Sequence, residues 1–289
     1  MSAKPVTILD FLNRSKVFLE RQGMESPRLD AEVLLAHVMD CTRLDLYVRF
    51  EKPLSPGEIQ RYRGLIQERG RGVPVAYLTN RREFFSLDFH VTPHVLIPRP
   101  ETEHLVEAAL EALGPEEKAL VVDAGAGSGC VGIALARNRP GIHVIATDVS
   151  REALNIVGLN ARRLQVADRI SLLLGDLLEG LAPRQGGRPV QLILSNPPYV
   201  PLEDWNTLPR DVRTFEPQSA LVARQKGTEF HTRLIRAAER VLVSGGALYM
   251  EIGHGQAEIV APVMQKAFGN VEVREDLAGI SRIIGGKKP

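Results

Sequence analysis

Residues 119–130 read Ala-Leu-Val-Val-Asp-Ala-Gly-Ala-Gly-Ser-Gly-Cys, an apolar run followed at once by three glycines at alternate positions. The apolar run predicts a buried strand, and residues 131–138 have the apolar spacing of a helix. Glycines between a strand and a helix let the backbone turn tightly and leave room for a ligand against it. The stretch therefore predicts the strand–turn–helix unit that opens many nucleotide- and nucleoside-binding α/β domains.

Outward from this stretch, predicted helices and strands alternate along the rest of the chain. The expected helices are 101–113, 131–138, 151–165, 228–243 and 256–267, and the expected strands are 119–123, 144–148, 170–174, 190–195 and 247–252. Strands that are nearly continuous apolar runs and alternate with helices predict a mostly parallel sheet with helices on both faces. Residues 271–274 and 282–284 are expected to add an antiparallel edge to this α/β fold.

The amino-terminal part of the chain has a different pattern. Residues 6–72 read as helices separated by loops, and Ser55-Pro56-Gly57-Glu58 has the form of a helix start with a capping box. Short extended pieces at 83–87 and 89–91 predict a hairpin. Because 289 residues exceed what one core usually supports, we expect an N-terminal helical domain, a hairpin linker and a larger α/β domain. Their expected bounds are 1–73, 74–98 and 99–289.

Composition narrows the class of protein. Hydrophobic residues make up 44% of the chain, and the net charge of +1 disfavours a protein that wraps long nucleic acid. Cys41 and Cys130 form no CxxC pair, so neither a disulfide framework nor a zinc site is expected. Residues 1–14 lack the apolar run of a signal peptide, and no later run is long enough to span a bilayer. We expect a cytoplasmic protein without membrane contact, and nothing demands more than a monomer.

The acidic residues after the strands indicate which cofactor the glycine turn serves. A dinucleotide fingerprint needs a third glycine where Cys130 stands. Asp148 ends the second strand, where a carboxylate can accept hydrogen bonds from ribose hydroxyls, and Asp176-Leu177 offers a carboxylate and an apolar side chain to an adenine. Alternatively, both acids only cap the segments that follow them. The expected cofactor-binding residues are Asp123, Gly125, Ala126, Gly127, Ser128, Gly129, Asp148, Asp176, Leu177 and Asn196.

The segment Asn196-Pro197-Pro198-Tyr199 follows the strand 190–195 and so reaches the carboxyl edge of the sheet, where ligands bind in open α/β folds. Its two prolines have no N–H, so this turn presents hydrogen-bond acceptors. The Asn196 side-chain oxygen and the Pro197 carbonyl can hold both hydrogens of a substrate NH₂ group. The Tyr199 ring can pack against the planar group that carries it.

This arrangement fits methyl transfer from S-adenosylmethionine to a planar, conjugated nitrogen. Such a nitrogen is a poor nucleophile, and two acceptors placed for a nitrogen that becomes tetrahedral stabilise the transition state more than the ground state. The methyl group is already activated by its sulfonium, and the proton can leave after transfer. No metal is expected, because His90 and His94 lie in an extended, proline-flanked segment and share no helical face.

At this point the chain resembles the HemK-type methyltransferases, which modify the glutamine of the GGQ loop in peptide chain release factors. The resemblance spans nearly the whole chain. Besides the 196–199 tetrad, the segments that carry it are 74–79, 82–85, 96–103, Glu216-Pro217, Ala220-Leu221, 251–256 and 276–279 with Arg282. It implies a class I, Rossmann-like methyltransferase domain with a seven-stranded, mostly parallel sheet, and an N-terminal helical bundle that helps to dock the release factor.

The resemblance also implies roles for individual residues. Asn196, Pro197, Pro198 and Tyr199 would be catalytic and, with Pro98, Arg99 and Glu101, would bind the substrate glutamine; S-adenosylmethionine would be the methyl donor. The chain departs from the family at two places. Leu177 stands where related enzymes often have tryptophan beside the adenine, and residues 222–227 lack the usual glycine pair.

Three other interpretations remain to be weighed. The tetrad is shared with N6-adenine methyltransferases of nucleic acids, which should carry a basic groove with aromatic platforms; one Trp and a net charge of +1 argue against this. A non-catalytic module with a vestigial site would tolerate loss of Asn196 or Gly127, yet both are present. A dinucleotide-dependent oxidoreductase would need the missing third glycine. The tetrad alone does not distinguish an adenine from an amide.

Overall fold

The computed structural model describes residues 6–114 and 118–289, and the chain divides into two compact units. Met1–Arg81 and Pro209–Phe215 form one, called here the helical unit, and Arg82–Leu208 and Glu216–Pro289 form the other, the sheet unit. Residues 1–5, part of the stretch in which no signal peptide is expected, lie outside the described residues. In the described part of the chain, no helix combines the length and the apolar character needed to cross a membrane.

The secondary structure follows the predicted order. The helices are α1 Ile8–Arg21, α2 Pro27–Met39, α3 Arg43–Val48, α4 Pro56–Gly70, α5 Val75–Thr79, α6 Glu103–Ala112, α7 Cys130–Asn138, α8 Arg151–Arg163, α9 Arg210–Phe215, α10 Glu229–Val241 and α11 Ala257–Met264. The strands are β1 Arg82–Phe84, β2 Leu87–Phe89, β3 Leu120–Ala124, β4 His143–Asp148, β5 Ile170–Leu174, β6 Arg184–Gln185, β7 Arg188–Ser195, β8 Val200–Pro201, β9 Val222–Ala223, β10 Ala247–Glu251, β11 Gly269–Glu275 and β12 Ser281–Lys287.

Capping boxes fix three of the helix starts in the helical unit. The predicted box of α4 is present, with the Ser55 hydroxyl and the Glu58 carboxylate each bonded to the other's backbone N–H. Thr7 with Asp10 and Thr42 with Asp45 do the same for α1 and α3. Each box satisfies donors that the first turn leaves unpaired, which contributes about 1 kcal/mol. A single apolar core joins these helices, and Tyr62 in its centre donates a hydrogen bond to the Ala31 carbonyl at 3.1 Å.

The expected linker, residues 74–98, is divided between the two units. Val75 and Leu78 of α5 pack against the core of the helical unit, whereas Phe84 and Phe89 are buried in the core of the sheet unit. The predicted hairpin exists, but 83–87 is not one continuous strand. Phe85 and Ser86 both have positive φ and form the two-residue turn between β1 and β2. That geometry is the one which matches the twist of paired strands.

The sheet has the order β11-β12-β10-β7-β3-β4-β5, with β6 paired to β7 outside this path. The five strands from β10 to β5 are parallel, and β11 and β12 add the predicted antiparallel edge. Successive strands run outward from β3 through β4 to β5, and the order then reverses to place β7 on the other side of β3. The carboxyl ends of β3 and β7 therefore flank the switch point, where open α/β sheets bind ligands.

Both faces of the sheet are covered by helices, which confirms the predicted α/β fold. Val121 of β3 and Leu194 of β7 point into a core formed with α6, α7 and α8. Their neighbours Val122 and Ile193 point to the opposite face, against α10 and α11. Because β3 and the second half of β7 are buried on both sides, their sequences are apolar runs without alternation.

Candidate active site

A cavity of about 520 Å³ opens at the carboxyl ends of β3 and β7. Its walls include the glycine turn after β3, Asp148 after β4 and Asn196 after β7. These are residues from three segments that lie at least 19 positions apart in the sequence. The parallel sheet brings them together because the carboxyl ends of its strands share one edge.

The glycine turn has one side open to the cavity and the other side packed against helices. Gly125 and Gly127 have φ of +72° and +54°, line the cavity, and a Cβ built on either would meet nothing within 4 Å. At Gly129, φ is +79° and a Cβ would come within 2.9 Å of Ile133 and Val157. Gly125, Ala126, Gly127 and Ser128 thus face the cavity, while Gly129 is needed for the contact between the turn and the helices. This cradle suits a nucleoside that lies close against the backbone.

Asp123 is held inside the turn. The residue is 2% exposed and lines the cavity, and its carboxylate accepts a hydrogen bond from the Gly132 N–H at 2.9 Å. Burial raises the pKa of Asp123 to about 7, an effect that the Gly132 N–H opposes and the nearby Asp148 carboxylate reinforces.

Asp148 both stabilises the turn and faces the cavity. One carboxylate oxygen accepts the Gly127 N–H and the other accepts the Ser150 N–H, each at 2.9 Å. A carboxylate has about four acceptor positions, so two remain for a ligand. The capping interpretation and the ligand-binding interpretation are therefore compatible at this residue.

Asp176 is engaged by a neighbour that sequence reasoning did not consider. Its carboxylate accepts a hydrogen bond from Arg233 at 2.5 Å, and the Arg233 guanidinium lies 5.4 Å from the centre of the Phe230 ring. All three side chains line the cavity beside Leu177, whose carbonyl accepts the Thr147 hydroxyl at 2.6 Å. Phe230 thus supplies an aromatic face at the end of the cavity where Leu177 lacks one.

The tetrad is held by a set of buried hydrogen bonds. Asn196 donates from its side-chain nitrogen to the Thr102 hydroxyl at 3.0 Å, and Thr102 donates to a Glu251 carboxylate oxygen at 2.6 Å. The other Glu251 oxygen accepts the Tyr199 hydroxyl at 3.1 Å. Asn196 and Pro198 line the cavity; Pro197 and Tyr199 do not. The predicted stacking of Tyr199 on a substrate is therefore not evident, because its ring is directed to Glu251 instead.

Two further contacts fix the backbone of the tetrad. The Ser195 hydroxyl, at the end of β7, donates to the Ala124 carbonyl at 2.7 Å and ties the tetrad to the glycine turn. The Gln256 side chain donates to the Tyr199 carbonyl at 2.8 Å. Residues 196–227, between β7 and α10, contain α9 and the parallel pair β8–β9.

The segment 97–99 is anchored by Glu216. This carboxylate accepts the Ile97 N–H at 3.1 Å and a hydrogen bond from the Arg99 guanidinium at 2.6 Å, and its side chain is only 2% exposed. Pro98 and Arg99 line the cavity as expected for substrate-binding residues, whereas Glu101 does not. Arg99 uses only part of its set of five N–H donors on Glu216, so others remain available.

Sequence reasoning missed the roles of Thr102, Glu251, Glu216 and Phe230. Thr102, Glu216 and Glu251 lie within segments that carry the resemblance and Phe230 lies outside them, but no local pattern links the four. Thr102 and Glu251, for example, are 149 positions apart. In the part of the chain that the structure describes, no group of three or more His, Cys, Asp or Glu side chains is arranged to hold a metal ion.

Comparison with known proteins places the chain in a family. Residues 10–79 match the model of the PrmC N-terminal domain, and residues 102–207 match that of the methyltransferase small domain. The 16S rRNA N2 G1207 methyltransferase of T. thermophilus, solved with AdoMet and guanosine, has the same fold. It superposes with a TM-score of 0.52 at 19% identity, over 72% of this chain and 50% of that one.

Two curated relatives align along almost their whole length. The release factor glutamine methyltransferase of Rhodopirellula baltica is 40% identical, over 98% of this chain and 97% of the relative. The one from Geobacter sulfurreducens is 39% identical over 99% of both. The chain belongs to the family of release factor glutamine methyltransferases.

Proposed function

We propose that this enzyme transfers a methyl group from S-adenosylmethionine to the side-chain amide nitrogen of the glutamine in the GGQ motif of peptide chain release factors. The observation that carries the proposal is that one cavity is lined both by a nucleoside-sized glycine cradle and by Asn196 and Pro198 of the tetrad. The family of full-length relatives supports glutamine in a release factor as the substrate.

The residues at the glycine turn fit S-adenosylmethionine. The backbone at Gly125 and Gly127 leaves space for its methionine and ribose parts, the two free acceptor positions of Asp148 suit the ribose hydroxyls, and Leu177 with Phe230 would enclose the adenine. When bound, S-adenosylmethionine supplies a methyl group made electrophilic by its sulfonium. The Asp176 carboxylate would meet the adenine amino group while it remains paired with Arg233.

The tetrad would bind and polarise the substrate amide. The Asn196 side-chain oxygen would accept one amide hydrogen in the cavity, and the carbonyl of Pro197, the next residue, would accept the other. Both acceptors would interact more strongly as the nitrogen becomes tetrahedral and its N–H bonds more acidic. Pro198 and Arg99 line the same wall and would contact the residues beside the glutamine. The Tyr199 hydroxyl stays on Glu251 and so acts by holding the turn.

The remaining parts of the proposal concern partners. Residues 1–73 match a family-specific amino-terminal model over most of their length, which supports a role in docking the release factor. Because release factors act at ribosomes, the enzyme would work in the cytoplasm. We propose that it acts as a monomer without direct contact to nucleic acid.

The test is to incubate the purified protein with methyl-labelled S-adenosylmethionine and either a release factor or DNA, and to map the label by peptide mass spectrometry. We expect label on the GGQ glutamine only, and none when that glutamine is replaced by alanine. Asn196→Ala should lower kcat/KM by about 10²- to 10³-fold, as loss of one positioned polar group in an active site does. Asn206→Ala, at an exposed asparagine shortly after the tetrad, is the matched control and should retain activity. Labelled DNA with unlabelled release factor would replace our proposal with N6-adenine methylation.

A further inference from the structure

Two buried residues outside the tetrad form a chain of hydrogen bonds that ends at Asn196. Glu251 at the end of β10 and Thr102 before α6 are each 2% exposed. The Glu251 carboxylate is 2.6 Å from the Thr102 hydroxyl oxygen, which is 3.0 Å from the Asn196 side-chain nitrogen. The three residues come from separate segments, so their meeting is a property of the fold.

The direction of each hydrogen bond in this chain is determined by chemistry. When Glu251 is ionised its carboxylate can only accept, so the single hydrogen of the Thr102 hydroxyl then points to Glu251, as the 2.6 Å contact requires. Toward Asn196 the same hydroxyl therefore offers only lone pairs, and it must receive a hydrogen there. Only the NH₂ end of the Asn196 carboxamide can supply it. Its oxygen is left on the opposite side, free for a ligand.

The surroundings of Glu251 occupy both of its oxygens and act on its pKa in opposite directions. Its second carboxylate oxygen accepts the Tyr199 hydroxyl, so both oxygens are occupied by donors. Burial raises the pKa of Glu251 and the Glu101 carboxylate raises it further. The hydrogen bonds from Thr102 and Tyr199 and the charge of Arg282 lower it. On balance the pKa of Glu251 lies above its ordinary value, and the two hydroxyls and the guanidinium limit that rise.

We infer that Thr102 and Glu251 are positioning residues that fix the rotamer of the Asn196 carboxamide, so that its oxygen and not its nitrogen faces the substrate amide. This inference rests on the proposed function, since it assigns how the tetrad discriminates an NH₂ donor. A carboxamide turned by 180° would direct its own NH₂ at the NH₂ of the glutamine. Two donors would then face each other where catalysis needs an acceptor.

The kinetic test compares Thr102→Val with Thr102→Ser. Valine has nearly the shape of threonine but can neither donate to Glu251 nor accept from Asn196, whereas serine keeps both abilities. We expect Thr102→Val to lower kcat/KM for the release factor by about 10- to 100-fold, the equivalent of one positioned hydrogen bond, and Thr102→Ser to stay within about 3-fold of wild type. Binding of S-adenosylhomocysteine, measured by calorimetry, should be unchanged in both.

A matched control separates this role from simple loss of a buried hydroxyl. Thr228 is 4% exposed and donates to the Gln225 carbonyl at 2.8 Å, so Thr228→Val removes a hydroxyl hydrogen bond of similar burial. Thermal midpoints should fall in both valine variants, but only Thr102→Val should lose methylation of the release factor. Equal kinetic losses in the two valine variants, or a Thr102→Ser variant as impaired as Thr102→Val, would overturn the inference.

A second measurement needs no substrate. In ¹⁵N-labelled protein, the Asn196 side-chain NH₂ signals can be assigned by their absence in Asn196→Ala. We expect slow solvent exchange for the hydrogen that is bonded to Thr102 in the wild type and in Thr102→Ser, and fast exchange in Thr102→Val. Unchanged exchange in Thr102→Val would overturn the inference even if the release factor is methylated. Protected signals together with an unmethylated release factor would support the inference and refute only the proposed function.

Discussion

At the scale of single residues, the site places carboxylates in two kinds of surroundings. Asp148 has backbone donors and partial access to the cavity, while Asp123 is buried behind the glycine turn with one backbone N–H as its donor. One donor does not replace the water that a carboxylate loses on burial. The pKa of Asp123 is accordingly raised to about 7, so in the protein without cofactor this group titrates near neutral pH.

This raised pKa predicts how stability changes with pH. Between the ordinary Asp value of 3.8 and about 7, the folded protein binds a proton at Asp123 that the unfolded chain has released. The free energy of unfolding must therefore fall as pH rises through this window, and this contribution becomes constant above it. Asp123→Asn keeps an acceptor for Gly132 but cannot ionise. We expect its thermal midpoint, relative to wild type, to increase from pH 4 to pH 7 when cofactor is absent.

The check is a pair of melting curves measured at several pH values on protein freed of S-adenosylmethionine and its product. A constant difference between Asp123→Asn and wild type across this range would show that Asp123 does not titrate there. The series is then repeated with saturating S-adenosylhomocysteine. If the ammonium group of this ligand keeps Asp123 ionised, the change with pH in the difference between the thermal midpoints of Asp123→Asn and wild type should shrink.

At the scale of elements, the connection between β8 and α10 packs closely against the tetrad at one glycine, Gly227. Gly227 has φ of +80°, and a Cβ there would lie 2.0 Å from the Tyr199 carbonyl oxygen and 2.3 Å from the Gln256 side-chain nitrogen. The Gln256 nitrogen bridges the Tyr199 and Lys226 carbonyls at 2.8 and 3.1 Å. A side chain at residue 227 would collide with these atoms. Gly227, the single glycine in residues 222–227, therefore stands at a position that only glycine can occupy.

Gly227→Ala should therefore disturb both stability and catalysis. Gly245 has almost the same φ, +79°, but a Cβ there would meet nothing within 4 Å, so Gly245→Ala isolates the cost of the left-handed backbone. We expect that cost to be about 1–2 kcal/mol at both sites, with a further 1–3 kcal/mol for the collision at Gly227. Denaturant unfolding measures both, and methylation should be lost only in Gly227→Ala. Similar unfolding free energies for the two variants would contradict this account.

The elements were predictable from sequence to different degrees. The strands β3, β4, β7 and β10 were found because residues buried on both faces form apolar runs, and β5 has a mostly apolar sequence although it lies half-exposed at the sheet edge. The order of these strands in the chain limits the topology. The turn at Phe85-Ser86 was missed because neither residue is typical of the left-handed positions it occupies. The glycine cradle and Asp148 belong to a local motif, whereas the contact between Thr102 and Glu251 depends on the completed fold and has no local signal.

At the scale of the whole molecule, the chain passes between its two units more than once. It leaves the helical unit after Arg81, returns to it for Pro209–Phe215, and then re-enters the sheet unit at Glu216. Within the helical unit, the Phe215 ring lies 3.4 Å from the position of a Cβ built on Gly72, which has φ of +104°. The segment that links the tetrad to Glu216 therefore runs by way of the helical unit.

This path predicts the pattern of hydrogen exchange. Leu35 is fully buried in the core of the helical unit, and Leu35→Ala should destabilise that unit by about 2–5 kcal/mol. Amide exchange in 210–215 should then accelerate together with that of α2 and α4, while 202–208 and 218–223 change little. Ile193→Ala, at a fully buried position of β7, is the control and should show the opposite pattern. If amide exchange in 210–215 instead changes together with that of β7, this segment belongs to the sheet unit.

The return of the chain to its amino-terminal unit has a consequence for synthesis on the ribosome. Domains generally fold in the order in which they emerge, the amino-terminal one first. Here the amino-terminal unit lacks its last helix until Phe215 has emerged, when about three quarters of the 289 residues have been made. By then β3, β4, β5 and β7 have already left the ribosome. The amino-terminal unit is therefore completed only after four strands of the sheet unit have emerged, and the sheet unit itself still awaits β10, β11 and β12.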